Sequence, residues 1–377
     1  MLQDIAEVIE KGDESGNNMT VRFRLPSGLE IWGLATENFY GGEWDLGPTW
    51  NYLVMDDRSF LVDTGKSGMG RRLLEMIESC GISGKDLDFV ILSHGHEDHD
   101  GGLSDIVKAT GTTVKAHWIY DRLIRYYPGR SPADFRNKFP ATCWRCFMPE
   151  TFSTQNCLEY QQERSGLGIE EIGDTESKLS ENAQVYHVPG HSPDCVAILV
   201  NGEALFVGDT VLPDITPYPS REELFQDVSE ILSPQAISAQ SVYGLRAYIR
   251  SLNKLGNIGE QMGELLVLPA HRLFYNNQWN GIDLKLRIKE LIEHHIKRCT
   301  DILRILKQGP KTAKQIAVEH FAARLLKGFG ILMAENEILA HCELLSACQD
   351  VVREKDNRLA ATGSTHFESL VRSLAEG

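Results

Sequence analysis

Three imidazoles and two carboxylates fall within the six residues His94-Gly95-His96-Glu97-Asp98-His99. They follow Asp88-Phe89-Val90-Ile91-Leu92-Ser93, a short and nearly all-apolar run that reads as a buried strand. A chain with this junction must fold so that a strand end delivers several metal-ligating groups to one place. On an extended segment His94 and His96, two residues apart, fall on one face. Asp98 and His99 follow as the chain turns into the next helix. Imidazole nitrogen and carboxylate oxygen together suit Zn²⁺, with Fe or Mn²⁺ as alternatives. A histidine-rich surface loop would carry the same letters, so the reading depends on partners elsewhere in the chain.

Such partners follow other strand-like runs. Asp63 lies in Leu61-Val62-Asp63-Thr64-Gly65, and His191 in Val188-Pro189-Gly190-His191-Ser192-Pro193-Asp194. Asp209 ends Leu205-Phe206-Val207-Gly208-Asp209, and His271 ends Val267-Leu268-Pro269-Ala270-His271. Each alone is weak, because an Asp before Thr is often a cap and a lone His is often only hydrogen-bonded. Together they put ligand-type side chains at strand ends, where α/β folds build their sites.

The surrounding pattern predicts a mixed α/β fold. Residues 52–55 and 59–62 read as a hairpin around Asp56-Asp57-Arg58, and 196–200 with 204–207 as a second around Asn201-Gly202. Helices are expected over 71–80 and 101–110, and a buried strand over 265–268. Residues 1–20 read as a polar tail with a short helix. Residues 284–307, 313–321 and 336–352 read as helices, and Lys355-Asp356-Asn357-Arg358 as a turn between short strands.

The five ordered motifs around Asp63, His94–His99, His191, Asp209 and His271 resemble the metallo-β-lactamase superfamily over about residues 20–275. The resemblance implies a four-layer αββα sandwich with a binuclear metal centre at one edge. His94, His96 and His191 would hold the first ion, Asp98, His99 and His271 the second, and Asp209 would bridge them. Asp63 would hydrogen-bond a ligand, and Asp98 would also orient the attacking water. The implied cofactor is two divalent ions, zinc first, with iron or manganese as alternatives. The implied reaction is attack of a metal-activated water on a thioester or ester. The glyoxalase-II-like branch fits best, and one group within it adds a C-terminal winged helix. His294, Arg298, Ile302-Leu303, Leu306 and Gly309-Pro310-Lys311-Thr312 resemble that segment. The alternatives are a single-stranded RNA endonuclease of that group and a persulfide-dioxygenase-like oxygenase with one iron. The expected organisation is a catalytic domain over 1–282, interrupted at 118–182, and a winged-helix-like domain over 283–377.

Charge narrows the partners. The chain has 38 Lys+Arg against 53 Asp+Glu over 377 residues, a formal net charge of −15. A general nucleic-acid binder carries a basic excess, so nucleic acid is disfavoured. The balance is uneven: residues 283–377 hold 15 basic and 13 acidic side chains, and the acidic excess lies before them. Residues 117–149 hold six basic and two acidic side chains. They read either as a solvated helix or as a lid whose Arg122, Arg125 and Arg130 receive an anionic small-molecule substrate, such as an acyl thioester. The helix over 336–352 carries acidic groups and no Lys or Arg, so its apolar residues are expected in a core, a dimer contact or a pocket wall. Cys143, Cys146 and Cys157 form an incomplete zinc pattern, since a structural zinc normally has four ligands. No apolar run approaches the ~20 residues of a membrane span. The start has no secretory pattern, so a cytoplasmic protein with reduced thiols is expected.

Overall fold

Strand alternation decides the architecture. In the computed structural model, which describes residues 2–40, 45–125, 162–232 and 237–376, five strands form an antiparallel meander. They are β1 (Ala6–Glu10), β2 (Thr20–Arg24), β3 (Glu30–Thr36), β4 (Thr49–Met55) and β5 (Ser59–Val62). β6 (Phe89–Ile91), β7 (Thr113–His117) and β8 (Ile169–Ile172) extend it in parallel, giving eight strands in sequence order. Side chains in these strands point alternately to two apolar layers. Ile31, Ala35, Trp50, Tyr52, Val54, Phe60, Val62, Phe89 and Ile91 enter one core, while Trp32, Leu34, Leu53, Leu61 and Val90 enter another.

The second sheet has five strands, β9 (Ser177–Lys178), β10 (Ala183–His187), β11 (Val196–Val200), β12 (Ala204–Gly208) and β13 (Leu266–Pro269). Their spatial order is β13-β12-β11-β10-β9. The Asn201-Gly202 turn between β11 and β12 has φ of 56° and 67°, the left-handed pair that such a tight hairpin requires. Val185, Val196, Ile198, Phe206 and Leu268 of this sheet meet the inner residues of the first in one core. Helices α1 (Gly70–Ser79), α2 (Leu103–Thr110) and α3 (Trp118–Arg125) cover the outer face of the first sheet. Helices α4 (Phe225–Leu232) and α5 (Gly244–Met262) follow, and α5 covers the outer face of the second. The result is the expected αββα sandwich.

After β13 comes a small hairpin, β14 (Phe274–Tyr275) and β15 (Gln278–Trp279). The C-terminal helical region then comprises α6 (Leu284–Leu306), α7 (Ala313–His320), α8 (Gly330–Ala347), the hairpin β16 (Val351–Arg353) and β17 (Leu359–Ala361), and α9 (Phe367–Glu376). Asp283 caps α6, its side chain accepting the Leu286 N–H. This region has no core of its own: Tyr248, Ile249, Leu252 and Leu255 of α5 share one with Leu291, Cys299, Ile302, Ile338 and Leu345. Ile338, Leu344 and Leu345 of α8 are therefore packed inside the chain.

Several expectations shift. Part of the polar start is strand β1, because pairing with β2 supplies the hydrogen bonds that its charged sequence does not advertise. The 118–182 interruption is narrower than expected: Trp118, Ile119, Tyr120, Leu123 and Ile124 of α3 are buried, and β8 pairs with β7. α8 begins six residues before the expected Asn336, and α9 was not foreseen. Arg130, Cys143, Cys146 and Cys157 lie outside the described residues. Among the described residues, no helix is long and apolar enough to cross a membrane.

Candidate metal centre

Parallel pairing aligns strand ends. β5, β6 and β7 run parallel, so Asp63 after β5 and His94 after β6 reach the same edge. β12 and β13 are also parallel and bring Asp209 and His271 to the matching edge of the second sheet. β10 runs in the same direction as β12, and His191 follows it. The turn Glu97–Asp100 then directs Asp98 and His99 inward. All seven expected ligands converge. His94, His96 and His191 form one group with ligand atoms within 4.8 Å of each other. Asp98, His99 and His271 form a second, and His94, His99 and Asp209 form a group between them.

The hydrogen bonds fix which nitrogens face the centre. His191 Nδ1 donates to Tyr218 O at 2.9 Å, His271 Nδ1 to Pro48 O at 3.1 Å, and His99 Nδ1 to Asp63 Oδ2 at 2.9 Å. His94 Nδ1 lies 3.1 Å from Ser93 Oγ. The Nε2 lone pairs of these four rings are thereby presented inward. His96 uses its other nitrogen: Nδ1 lies 3.0 Å from His94 Nε2 and 3.1 Å from His191 Nε2. Three ring nitrogens meet there, and one proton cannot satisfy them all; a cation can. Asp209 reaches both groups, with Oδ2 3.5 Å from His191 Nε2 and Oδ1 3.4 Å from His271 Nε2. Among the described residues, His99 Nε2, His271 Nε2 and Asp209 Oδ1 are buried without a well-aligned hydrogen-bond partner. Buried polar atoms are normally paired, so this donor set fits divalent metal ions.

Burial and mutual repulsion lower His94, His96 and His191, whereas, against burial, Asp98 and Asp209 raise His99 and His271 above the ordinary histidine range. His94 is pushed well below the ordinary histidine range by burial and then by His99 and His96, and burial with His191 pushes His96 down to about 3. Burial opposes ionisation of Asp98 and Asp209, yet His99 and His271 hold both carboxyls well below the usual range. Glu97 faces away from these rings and is pushed up to about 9 by burial and by Asp98. Its Oε1 accepts the Ser67 N–H at 2.8 Å. Glu97 is thus a support of the loop.

Four further supports carried no sequence signal. Asn38 Nδ2 donates to Asp98 Oδ2 at 2.9 Å. Asp194 Oδ2 accepts the Gly95 N–H at 3.0 Å. Arg164, almost fully buried, pairs with Asp100 and donates to Gly95 O at 3.3 Å, and Tyr120 Oη donates to Asp100 at 3.0 Å. Gly190, before His191, has φ 131° and would drive a Cβ to within 2.3 Å of Tyr248 N, so only glycine fits there. Arg122 pairs with Glu171 at 3.2 Å, and Arg125 pairs with Asp121 at 2.7 Å and caps the carbonyls of Ser165 and Leu167.

Known proteins share this architecture. The sequence profile described as "Metallo-beta-lactamase superfamily" matches residues 44–257. The "Probable metallo-hydrolase YqjP" of Bacillus subtilis is 23% identical over 320 residues, covering 78% of this chain and 87% of that one. The "Beta-lactamase-like protein 2 homolog" of Drosophila melanogaster is 26% identical over 269 residues, 70% of each chain. A metallo-beta-lactamase family protein from Thermus thermophilus superposes with TM-score 0.62 at 22% identity, covering 88% of this chain and 98% of that one. A beta-lactamase domain protein from Burkholderia ambifaria gives 0.64 at 19%, covering 96% and 98%. With the profile spanning more than half of its length and the seven ligand-type side chains gathered at one sheet edge, the chain belongs to the metallo-beta-lactamase superfamily.

Proposed function

We propose that the chain is a binuclear metallohydrolase of thioesters or esters in the glyoxalase-II-like branch. The observation that carries the reading is the convergence of inward lone pairs on two overlapping groups, with Asp209 reaching both. His94, His96 and His191 would hold one ion, Asp98, His99 and His271 the other, and Asp209 would lie between. Bound divalent ions supply Lewis acidity and lower the pKa of a coordinated water. Two nucleophilic side chains among the described residues are otherwise engaged. Ser93 Oγ donates to Asp63 Oδ2 at 2.7 Å, and burial pushes the Cys195 thiol well up. On this reading the attacking group comes from solvent, which is hydrolysis. Asp63 holds His99 in one tautomer, and Asn38 fixes the rotation of Asp98.

Zinc is the proposed metal, since its borderline character suits mixed imidazole and carboxylate donors. The C-terminal order of helices and hairpin supports the winged-helix reading, but α8 offers no basic side chain to phosphate, so a small anionic substrate is preferred to a polyanion. The test is a screen of zinc-loaded protein against acyl-coenzyme A and other thioesters, lactones and single-stranded RNA. His96→Ala serves as the inactive control. Turnover of a thioester or ester that is lost in His96→Ala supports the reading. Cleavage of RNA alone, or one iron per chain with oxygen consumption, overturns it.

A further inference from the structure

A different set of metal-type side chains sits at the same end of the sandwich and takes no part in the centre described above. His117 ends β7 of the first sheet, His187 ends β10 of the second, and Asp174 follows β8. Their ligand atoms lie within 4.8 Å of one another. Asp174 Oδ1 is 3.0 Å from His117 Nε2 and 3.5 Å from His187 Nδ1. It also accepts the Trp118 indole N–H at 2.9 Å. Both imidazoles are buried, whereas the Asp174 side chain is 44% exposed and leaves a path to solvent.

Two features leave this cluster short of a positive charge. His187 Nε2 donates to Pro193 O at 2.8 Å, which fixes the tautomer and turns a bare Nδ1 lone pair toward the Asp174 carboxylate. Two acceptors then face each other, one on a buried ring and the other on a half-exposed carboxylate. A proton is the costly remedy, because burial and the neighbouring His117 push His187 down to about 3. In addition, His117 Nε2 is fully buried, and among the described residues the polar atom facing it is Asp174 Oδ1 at 3.0 Å, poorly aligned for a hydrogen bond. Buried polar atoms rarely stay unpaired.

We propose that His117 Nε2, His187 Nδ1 and Asp174 Oδ1 form an additional divalent-cation site that clips the two sheets together. Two imidazoles and a carboxylate suit Zn²⁺, and the exposed side of Asp174 leaves positions for water. The rings now stack with centroids 3.8 Å apart and planes 16° apart. One ring must therefore turn about χ2, a soft torsion for histidine, before both lone pairs meet an ion. The contact that gives way is the long 3.4 Å approach of Ile119 N to His117 Nδ1.

The test counts zinc in the full-length protein after zinc saturation and gel filtration, by inductively coupled plasma mass spectrometry. Asp174→Asn and His187→Ala should each bind about one equivalent less than the unsubstituted chain. Asp174→Asn, whose side chain is partly exposed, should keep any hydrolytic turnover within about twofold. Zinc should still raise the Tm of His96→Ala, through the additional site, and raise that of the His96→Ala/Asp174→Asn pair less. Equal zinc counts in the unsubstituted chain and both single variants overturn the proposal. That outcome is independent of the hydrolase reading, which stands or falls on His96→Ala and the substrate screen.

Discussion

Asp63 touches no substrate group in the arrangement described, yet its replacement by Asn should weaken metal binding about 30-fold. Its carboxylate is fully committed: Oδ1 accepts the Ser93 N–H at 2.7 Å, and Oδ2 accepts the Ser93 hydroxyl at 2.7 Å and His99 Nδ1–H at 2.9 Å. All three neighbours act as donors, so a side chain with only one acceptor oxygen cannot serve both sides. In Asp63→Asn the new amide must point its NH₂ either at the Ser93 N–H or at His99 Nδ1. If it faces His99, the ring is driven to the opposite tautomer, with a proton on the Nε2 that should face the metal. A hydrogen bond to a charged group contributes about 1.5–3 kcal/mol. Taking about 2 kcal/mol, the ion held by His99 loses roughly 30-fold in affinity. That agrees with the roughly 10–100-fold cost of losing a partner of a metal ligand. An ion held by His94, His96 and His191, as proposed, would lose less, because Asp63 reaches that group only through Ser93 Oγ. Competition of zinc against a chromophoric chelator gives both constants, and a urea titration confirms that the variant is folded. Folded Asp63→Asn with both constants within twofold of the unsubstituted protein would refute the argument.

Arg164→Met leaves the Asp100 carboxylate buried beside the metal loop without its cationic partner, and should cost about 3–5 kcal/mol of stability. In a urea double-mutant cycle, adding Asp100→Asn should restore more than half of that loss, and simple additivity would refute the pairing. In the C-terminal region, burial and Arg298 push His294 down to about 4. Its folded form binds fewer protons than the unfolded chain between the ordinary histidine value of 6.5 and about 4, so stability of the metal-free protein should fall as pH drops through that window. His294→Gln should flatten the slope by up to about 1.4 kcal/mol per pH unit, and an unchanged slope of the urea midpoint against pH would count against it.

Much of the centre was legible because metal chemistry uses few residue types and strand ends put them at short, ordered spacings. His94, His96, His191, Asp209 and His271 each stand after a run whose apolar pattern marks a strand, and the structure gathers them. Asp63 stands after a strand for the same reason, and it accepts a hydrogen bond from His99 of the same gathering. Asn38 and Arg164 were not legible, since they act through long-range side-chain bonds and sit in no motif. The lid reading of Arg122 and Arg125 came from local charge, but charge along the chain does not tell which carboxylate will fold against it. Glu171, on the neighbouring strand β8, takes the Arg122 guanidinium.

The sequence by itself determined the strand and helix periods, the Asn201-Gly202 turn and the identity of the seven ligand-type side chains, because these depend on backbone preference and donor chemistry within a few residues. Tertiary structure alone decided the rest. Register across β5, β6 and β7 set which ends coincide, and α5 fused the C-terminal helices to the sandwich in one core. The same packing of two sheets that assembled the expected centre also brought His117 and His187, seventy residues apart in sequence, into stacked contact beside Asp174. The physical reason is that lone pairs, tautomers and desolvation depend on what lies within a few ångströms in space, and no local pattern in the chain encodes that distance.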